Sequence, residues 1–274
     1  MKLFVAMLIV LFFTLPVPPV LAEDPLSNLV PLEGEINLIP WKEVKDILPR
    51  KSIFTLIDVE TGHSLQVQRR AGSQHADIQP LTKKDTEILK TIYPEWSWKR
   101  RAAIAIVNGQ MIAASMNGMP HGAGALDNGF DGHFCLHFLN STTHRSTNPD
   151  PAHHLMVLKA GDKIDDYISK QSPVELVDVL MIAINNADPA LLRKIVPLDH
   201  SEKDLHRLSR LSITKWNVIK NKTDHLVQPL STTLEVYVHD TGVITTTIEL
   251  KARRDPVSNR WRIEIPALLE LAKH

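Results

Sequence analysis

The hexapeptide from His133 to Phe138 holds the residues best suited to chemistry, because it places the only cysteine of the chain between two histidines. Successive side chains of a β-strand point to opposite faces. A strand here would put three apolar side chains on one face and three reactive ones on the other, namely Phe134, Leu136, Phe138 and His133, Cys135, His137. An adjacent imidazole lowers the pKa of a thiol from about 8.5 and makes it a better nucleophile.

A third imidazole, in the pair His121-Gly122, follows an apolar segment and precedes a loop rich in Gly, Asp and Asn. It could join the thiol as a general base for attack on a carbonyl group. The same residue types also bind Zn²⁺, with His133, Cys135, His137 and His121 as one ligand set and His144, His153 or Asp131 as further ligands. A buried, inert cysteine is the third interpretation that the residues leave open.

Two other polar groups are predicted to be ordinary solvated surface. His75 and Asp77 lie in a stretch that contains Gly and Ser, which favours a loop in contact with water. Trp96, Trp98 and the basic run 99–101 are typical of the exposed start of a strand, with an aromatic surface for glycan or peptide as the alternative.

Turn and capping signals divide the chain into short elements. Asn108-Gly109 between two apolar runs indicates a β-hairpin, and Glu60 to His63 indicates another. Thr82, Asp150, Ser172 and Asp188 occupy positions typical of helix N-caps. Strands are predicted over 53–59, 65–69, 102–107, 111–116, from about 133, and over 213–219, 234–239, 243–252 and 261–265.

These elements predict a β-rich mixed-sheet catalytic domain over 50–165 and a smaller α+β domain over 172–274, which faintly resembles the nuclear-transport-factor-like fold. The second domain could bind cell-wall material, form a homo-oligomer or cap the first. Residues 23–49 form a Pro-punctuated lead segment.

The first 22 residues predict a secretory signal peptide: Met1 and Lys2 precede an apolar run of 13 residues that ends at Leu15. That run is shorter than the ~20 residues needed to span a bilayer. Without this segment the chain has 30 basic and 31 acidic side chains, so its charge gives no basis for binding nucleic acid. We therefore expect a secreted, extracytoplasmic protein.

The region 53–160 resembles the L,D-transpeptidase catalytic domain (YkuD-like), whose signature is His-Gly, a variable loop and then Ser/Thr-His-Gly-Cys. This chain has His121-Gly122 and then Gly132-His133-Phe134-Cys135. It departs from the signature in having Gly before the second histidine and Phe before the cysteine. His137 stands where the family usually has Arg, and the loop between the two motifs is short.

The resemblance implies that Cys135 is the acylated nucleophile, His121 the general base and His133 a donor near the oxyanion. It also implies substrate contacts at Gly122, Phe134 and His137. The family cleaves a peptidoglycan stem peptide at its diamino acid and passes the acyl group to an amine, or to water. The leading hypothesis is thus a cofactor-free cysteine acyltransferase, and the alternatives are a zinc-dependent wall peptidase and a non-catalytic wall-binding protein.

Overall fold

The computed structural model describes residues 34–143, 148–219, 226–238 and 241–273. The predicted signal peptide and the first part of the lead segment lie outside these residues, as does the candidate zinc ligand His144. The described residues form a seven-stranded sheet, a four-stranded sheet and eight helices.

The larger sheet closes into a six-stranded barrel. Its strands follow the order β1-β6-β5-β2-β3-β4-β7, and β7 also pairs with β6. β1 lies outside the closed ring and pairs with β6 in parallel. The strands are β1 (Ile36–Asn37), β2 (Ile53–Asp58), β3 (Ser64–Ala71), β4 (Ala76–Pro80), β5 (Arg101–Val107), β6 (Gln110–Met116) and β7 (Phe134–His137).

The closing strand β7 has the predicted alternation. Phe134, Leu136 and Phe138 are buried in one hydrophobic cluster with residues from β2 to β6 and from the first two helices. Cys135 and His137 point to the opposite face, away from that cluster. The prediction that the apolar side chains share one face, and that Cys135 and His137 lie on the other, is confirmed.

Both predicted N-terminal hairpins are also present. Asn108 and Gly109 have φ angles of 51° and 78°, as a type I′ turn between twisted strands requires. The hairpin of β2 and β3 pairs Ile57 with Ser64 at its turn end. The sequence did not predict β4, which completes the barrel between β3 and β7.

Helices cover the barrel and link it to the second sheet. The four predicted N-caps are confirmed, and those at Thr82 and Ser172 are full capping boxes. The helices are α1 (Trp41–Ile47), α2 (Lys83–Ile92), α3 (Pro151–Ala160), α4 (Ile164–Ser169), α5 (Pro173–Asn185), α6 (Pro189–Ile195), α7 (Glu202–Leu208) and α8 (Pro266–Leu271). No helix of the described residues combines the length and the apolar character needed to cross a bilayer.

The smaller sheet has the antiparallel order β11-β10-β9-β8. Its strands are β8 (Ser212–Ile219), β9 (Val227–Val238), β10 (Gly242–Arg254) and β11 (Trp261–Glu264). One hydrophobic cluster contains Ala102 and Ala113 of the barrel, the apolar side of α3, and residues of α5 and of this sheet. Helix α3 therefore lies against the outer surface of the barrel, on the side where the reactive face of β7 emerges.

Candidate active site

The thiol of Cys135 lies 3.3 Å from Nε2 of His121. The other ring nitrogen of His121, Nδ1, is 2.8 Å from the carbonyl oxygen of Met119. A carbonyl oxygen can only accept a hydrogen bond, so Nδ1 carries the proton and donates it. In the neutral ring, Nε2 then presents its lone pair to the thiol, which is the arrangement that a general base for a cysteine nucleophile requires.

Two glycines let the chain bring His121 to the thiol. His121 and His133 exchange two backbone hydrogen bonds, of 3.0 and 2.8 Å, that hold the two motifs together. Gly132 has φ +89°, and a Cβ there would lie 2.3 Å from the carbonyl oxygen of His121. Gly122 has φ +62°, and its Cβ would lie 2.4 Å from the ring of His133. Glycine before the second histidine, a departure from the family signature, therefore has a steric cause in this chain.

His133 lies against the ring of His121, with the ring centroids 4.5 Å apart and the rings edge to face. Its Nδ1 is 3.1 Å from the carbonyl oxygen of Ala123, at the start of the loop. Its Nε2 is 3.8 Å from Oδ1 of Asp77. The structure thus brings all three predicted catalytic residues into one site.

His75 and Asp77 belong to the same site, and their prediction as solvated loop residues was wrong. They are 1% and 5% exposed, and Asp77 on β4 pairs directly with Cys135 on β7. The segment 75–80 alternates polar and apolar residues, a strand pattern that could have revealed that His75, Asp77 and Gln79 share a face. Only the pairing with β7 shows that this face is the one that carries the thiol.

His137 is the middle ring of a buried stack of three imidazoles. Its ring centroid is 4.3 Å from that of His75 and 3.7 Å from that of His153 on α3, and all the rings are nearly parallel. The stack ends at Ser115, whose Oγ is 2.8 Å from Nδ1 of His153. We call His75, His137 and His153 the histidine stack.

The structure corrects two of the three predicted substrate contacts. The side chain of His137 is 2% exposed and is enclosed between two other rings, because α3 covers this part of the barrel. The ring of Phe134 is fully buried in the barrel interior. Neither side chain can reach a substrate. Gly122, in contrast, is exposed beside His121.

The open side of the site carries one exposed aromatic ring. Trp98 is 49% exposed, and its ring centroid lies 4.9 Å from that of His121. The basic residues that follow are partly neutralised, since Arg100 pairs with Asp150 and Arg101 with Asp58. Trp98 therefore forms a wall next to the proposed base, which favours the alternative of an aromatic contact surface at this position.

The surroundings of the thiol shift the ionisation of the site. Burial opposes the thiolate, but hydrogen bonds from His121 and His75 lower the pKa of Cys135 overall. The hydrogen bond to Cys135 raises the pKa of His121 against the effect of burial. Burial also opposes charge on His75, yet hydrogen bonds with Asp77 and Cys135 raise its pKa to about 10. Burial depresses the pKa of His137 and of His153 well below the usual value for histidine.

The stacking of His75 and His137 does not favour a metal bound by both rings. Among the described residues, the group that comes nearest to a ligand set is His75, Cys135 and His137, whose ligand atoms lie within 4.8 Å of one another. It shares only the last two with the predicted set. A metal lies in the plane of each imidazole that binds it, and two rings stacked at 13° have no nearby point in both planes. Both nitrogens of His75 also face other acceptors, so zinc binding would require the stack to be dismantled.

Known proteins give no further guide to this site. No protein-family model matches the chain, and neither curated proteins nor solved structures provide a match.

Proposed function

We propose that the protein is a cysteine acyltransferase that acts on peptidoglycan stem peptides, as the resemblance to L,D-transpeptidases implies. One observation carries this proposal: the only thiol of the chain lies 3.3 Å from an imidazole nitrogen whose lone pair the Met119 carbonyl directs toward it. The formal net charge of zero, with 31 basic and 31 acidic side chains, gives no support for a nucleic-acid substrate and agrees with a peptide substrate.

The proposed reaction has two halves. The Cys135 sulfur attacks the carbonyl carbon of the diamino acid, and His121 Nε2 holds the proton that the thiol gives up. The resulting tetrahedral intermediate breaks its C–N bond as His121 returns this proton to the leaving D-alanine amine, which leaves a thioester. An acceptor amine then attacks the thioester, loses a proton to His121, and receives the acyl group as the C–S bond breaks. Water as acceptor gives a carboxypeptidase instead.

Charge that develops on the carbonyl oxygen needs donors fixed in advance. We propose that backbone N–H groups around Phe134 and Cys135 supply them, with His133 nearby. At Phe134 and Cys135 the strand pairs with β4, and the following Leu136 and His137 pair with β6, so this backbone is held in place. The substrate would lie along the exposed side of His121, between Trp98 and the loop that begins at Gly122.

Secretion belongs to the same proposal, because the stem peptide lies outside the cytoplasmic membrane. It is supported by the apolar N-terminal run with its preceding lysine.

Intact-mass spectrometry after incubation with a carbapenem tests the function directly. We expect one added inhibitor mass per chain in the wild type, none in Cys135→Ala, and transfer products from purified muropeptides. Near-stoichiometric zinc together with chelator-sensitive muropeptide hydrolysis would overturn the proposal in favour of a metallopeptidase. Binding to cell-wall material without acylation or turnover would favour a non-catalytic role.

A further inference from the structure

We infer that His75 is a positioning residue that carries a permanent positive charge behind Cys135 and holds the sulfur as a thiolate. His121 would then hold the proton that the thiol has given up and pass it to the leaving amine, while the charge on His75 keeps the sulfur ionised. The catalytic meaning of this division rests on the proposed acyl transfer, but the charge on His75 does not depend on it.

The contacts of His75 favour a proton on both of its nitrogens. Nδ1 is 2.8 Å from the carbonyl oxygen of Thr142, which can only accept a hydrogen bond. Nε2 makes an ion-pair contact of 3.2 Å with Oδ1 of Asp77, and a buried carboxylate at this distance favours the charged ring. A ring that carries both protons is an imidazolium ion. The side chain is 1% exposed, so water does not compete for these contacts.

This cation is close enough to act on the thiol. A ring nitrogen of His75 lies within 4.8 Å of the Cys135 sulfur, and Asp77 sits opposite Cys135 in the register of β4 and β7. Opposite charges within about 4–6 Å favour each other's ionised form, and the effect is larger where solvent is excluded. The hydrogen bond from His75 is one of the causes that lower the pKa of Cys135.

The rest of the surroundings keeps the charge on His75. Burial and the neighbouring charges depress the pKa of His137 and of His153, so these two rings stay neutral beside it. A cation placed over the face of a neutral aromatic ring is attracted to it. The groups that face the thiol and the stack from all sides are His121, His133, Asp77, His137, His153, Arg100 and Asp150.

Alkylation of Cys135 by iodoacetamide across pH 5–10 tests the inference, since the chain has no other thiol. We compare wild type, His75→Gln, His121→Gln and, as a matched control, His154→Gln, a half-buried histidine outside the stack. We expect the wild type and His154→Gln to react with a midpoint below the value of about 8.5 for an ordinary thiol. His121→Gln should retain the alkylation rate at pH 6 within about threefold while losing acyl transfer.

His75→Gln should shift the midpoint up by at least one pH unit, which lowers the alkylation rate at pH 6 about tenfold, because only the thiolate reacts. A shift that His121→Gln produces and His75→Gln does not would overturn the inference. If His75→Gln unfolds the barrel, Asp77→Asn replaces it as the test variant. Asp77→Asn removes the partner charge of His75 at nearly constant shape, so it should move the midpoint of Cys135 alkylation in the same direction.

Histidine NMR signals of the unmodified protein give a second measurement that needs no variant. We expect His75 to remain an imidazolium up to about pH 9, and titration near pH 6.5 would contradict the assignment. The two proposals fail separately. A carbapenem adduct combined with an unchanged midpoint in His75→Gln refutes only the charge role, whereas the shifted midpoint without any adduct refutes only acyl transfer.

Discussion

The thiol of Cys135 lies between two sets of imidazoles that differ in what surrounds their nitrogens. On the open side, His121 and His133 are partly exposed and are supported by the loop that connects their two motifs. On the buried side, the histidine stack is enclosed by β4, β7 and α3. A ring nitrogen that meets water can gain and lose protons during a reaction, whereas one fixed by a buried acceptor keeps its state. In the proposed mechanism, burial thus separates the groups that transfer protons from those that set the charge.

Removing the sulfur between the two sets should have the largest effect. Cys135→Ala and Cys135→Ser should abolish carbapenem acylation and muropeptide turnover, because no other thiol is present. Circular dichroism should show an unchanged fold. Full activity in Cys135→Ala would refute the cysteine mechanism, and loss of secondary structure would indicate that the residue is needed for packing.

Removing the open-side base should have the next largest effect. We expect His121→Ala to slow acylation in stopped-flow measurements by about 10²- to 10⁴-fold, the usual range for general-base assistance. His133→Ala should cost less, since His133 contacts the base rather than replacing it. His137 lies on the buried side and should matter less. If His137→Ala slowed acylation more than either of these changes while leaving the fold intact, the assignment of proton transfer to the open side would be wrong.

The backbone contact between the two open-side motifs can be tested at Gly132. A Cβ there would meet a backbone oxygen at 2.3 Å in addition to the strain of φ +89°. Gly132→Ala should displace His121 and slow acylation at least about tenfold, with a loss of about 1–3 kcal/mol in unfolding free energy. Gly129→Ala is the matched control, because Gly129 has φ +73° in the same loop and open space around its Cβ position. Equal effects of the two variants would show that strain alone is responsible.

The buried histidines should make the free energy of unfolding depend on pH. The pKa values of His137 and His153 are depressed in the folded state, so the unfolded chain binds more protons as pH falls below about 6.5 and the fold loses stability. Each ring should account for about 2 kcal/mol between pH 6.5 and pH 5. Urea unfolding at both pH values measures this, and His153→Gln should reduce the loss while the exposed His206→Gln should not.

The raised pKa of His75 acts in the opposite sense. Its contribution to stability is complete below about pH 6.5 and is lost as pH rises through about 10. The protein should therefore be most stable near pH 6.5 and lose stability in both directions, and an unfolding free energy that stays constant from pH 7 to pH 10 would contradict the assigned charge.

The smallest effect is expected from substitutions of Trp98, the exposed ring beside His121. Trp98→Ala should raise the KM for muropeptides by up to about tenfold through loss of an aromatic contact surface, and Trp98→Phe should restore most of the affinity. The pH profile of Cys135 alkylation should not change. A changed profile would show that the Trp98 ring also controls the ionisation of His121.

Local patterns were enough to predict much of the barrel and half of the site. The alternation in 133–138 predicted both faces of β7. Asn108-Gly109 predicted the hairpin of β5 and β6. Each feature is specified by neighbouring residues. The histidine pair 121 and 133 was recognised from motif order. These elements depend on short-range geometry, which a sequence displays directly.

The other half of the site depends on which elements pack together. His75 lies 60 positions from Cys135 and reaches it only because β4 pairs with β7. His137 was expected to contact substrate because the family resemblance implies it, and the strand pattern around it does not show that α3 covers its side chain. Burial of a polar face by a distant helix has no local signature in this chain.

Cys135 lies on the strand that closes the barrel, and this ties the chemistry of its thiol to folding. β7 joins β4 to β6, so an unclosed chain has neither His75 nor Asp77 next to the sulfur. Its thiol would be an ordinary one, mostly protonated at neutral pH. Reactivity would therefore arise only with contacts of large sequence separation, which are typically slow to form. Pulsed alkylation during refolding would then time barrel closure through Cys135 itself, without an attached label.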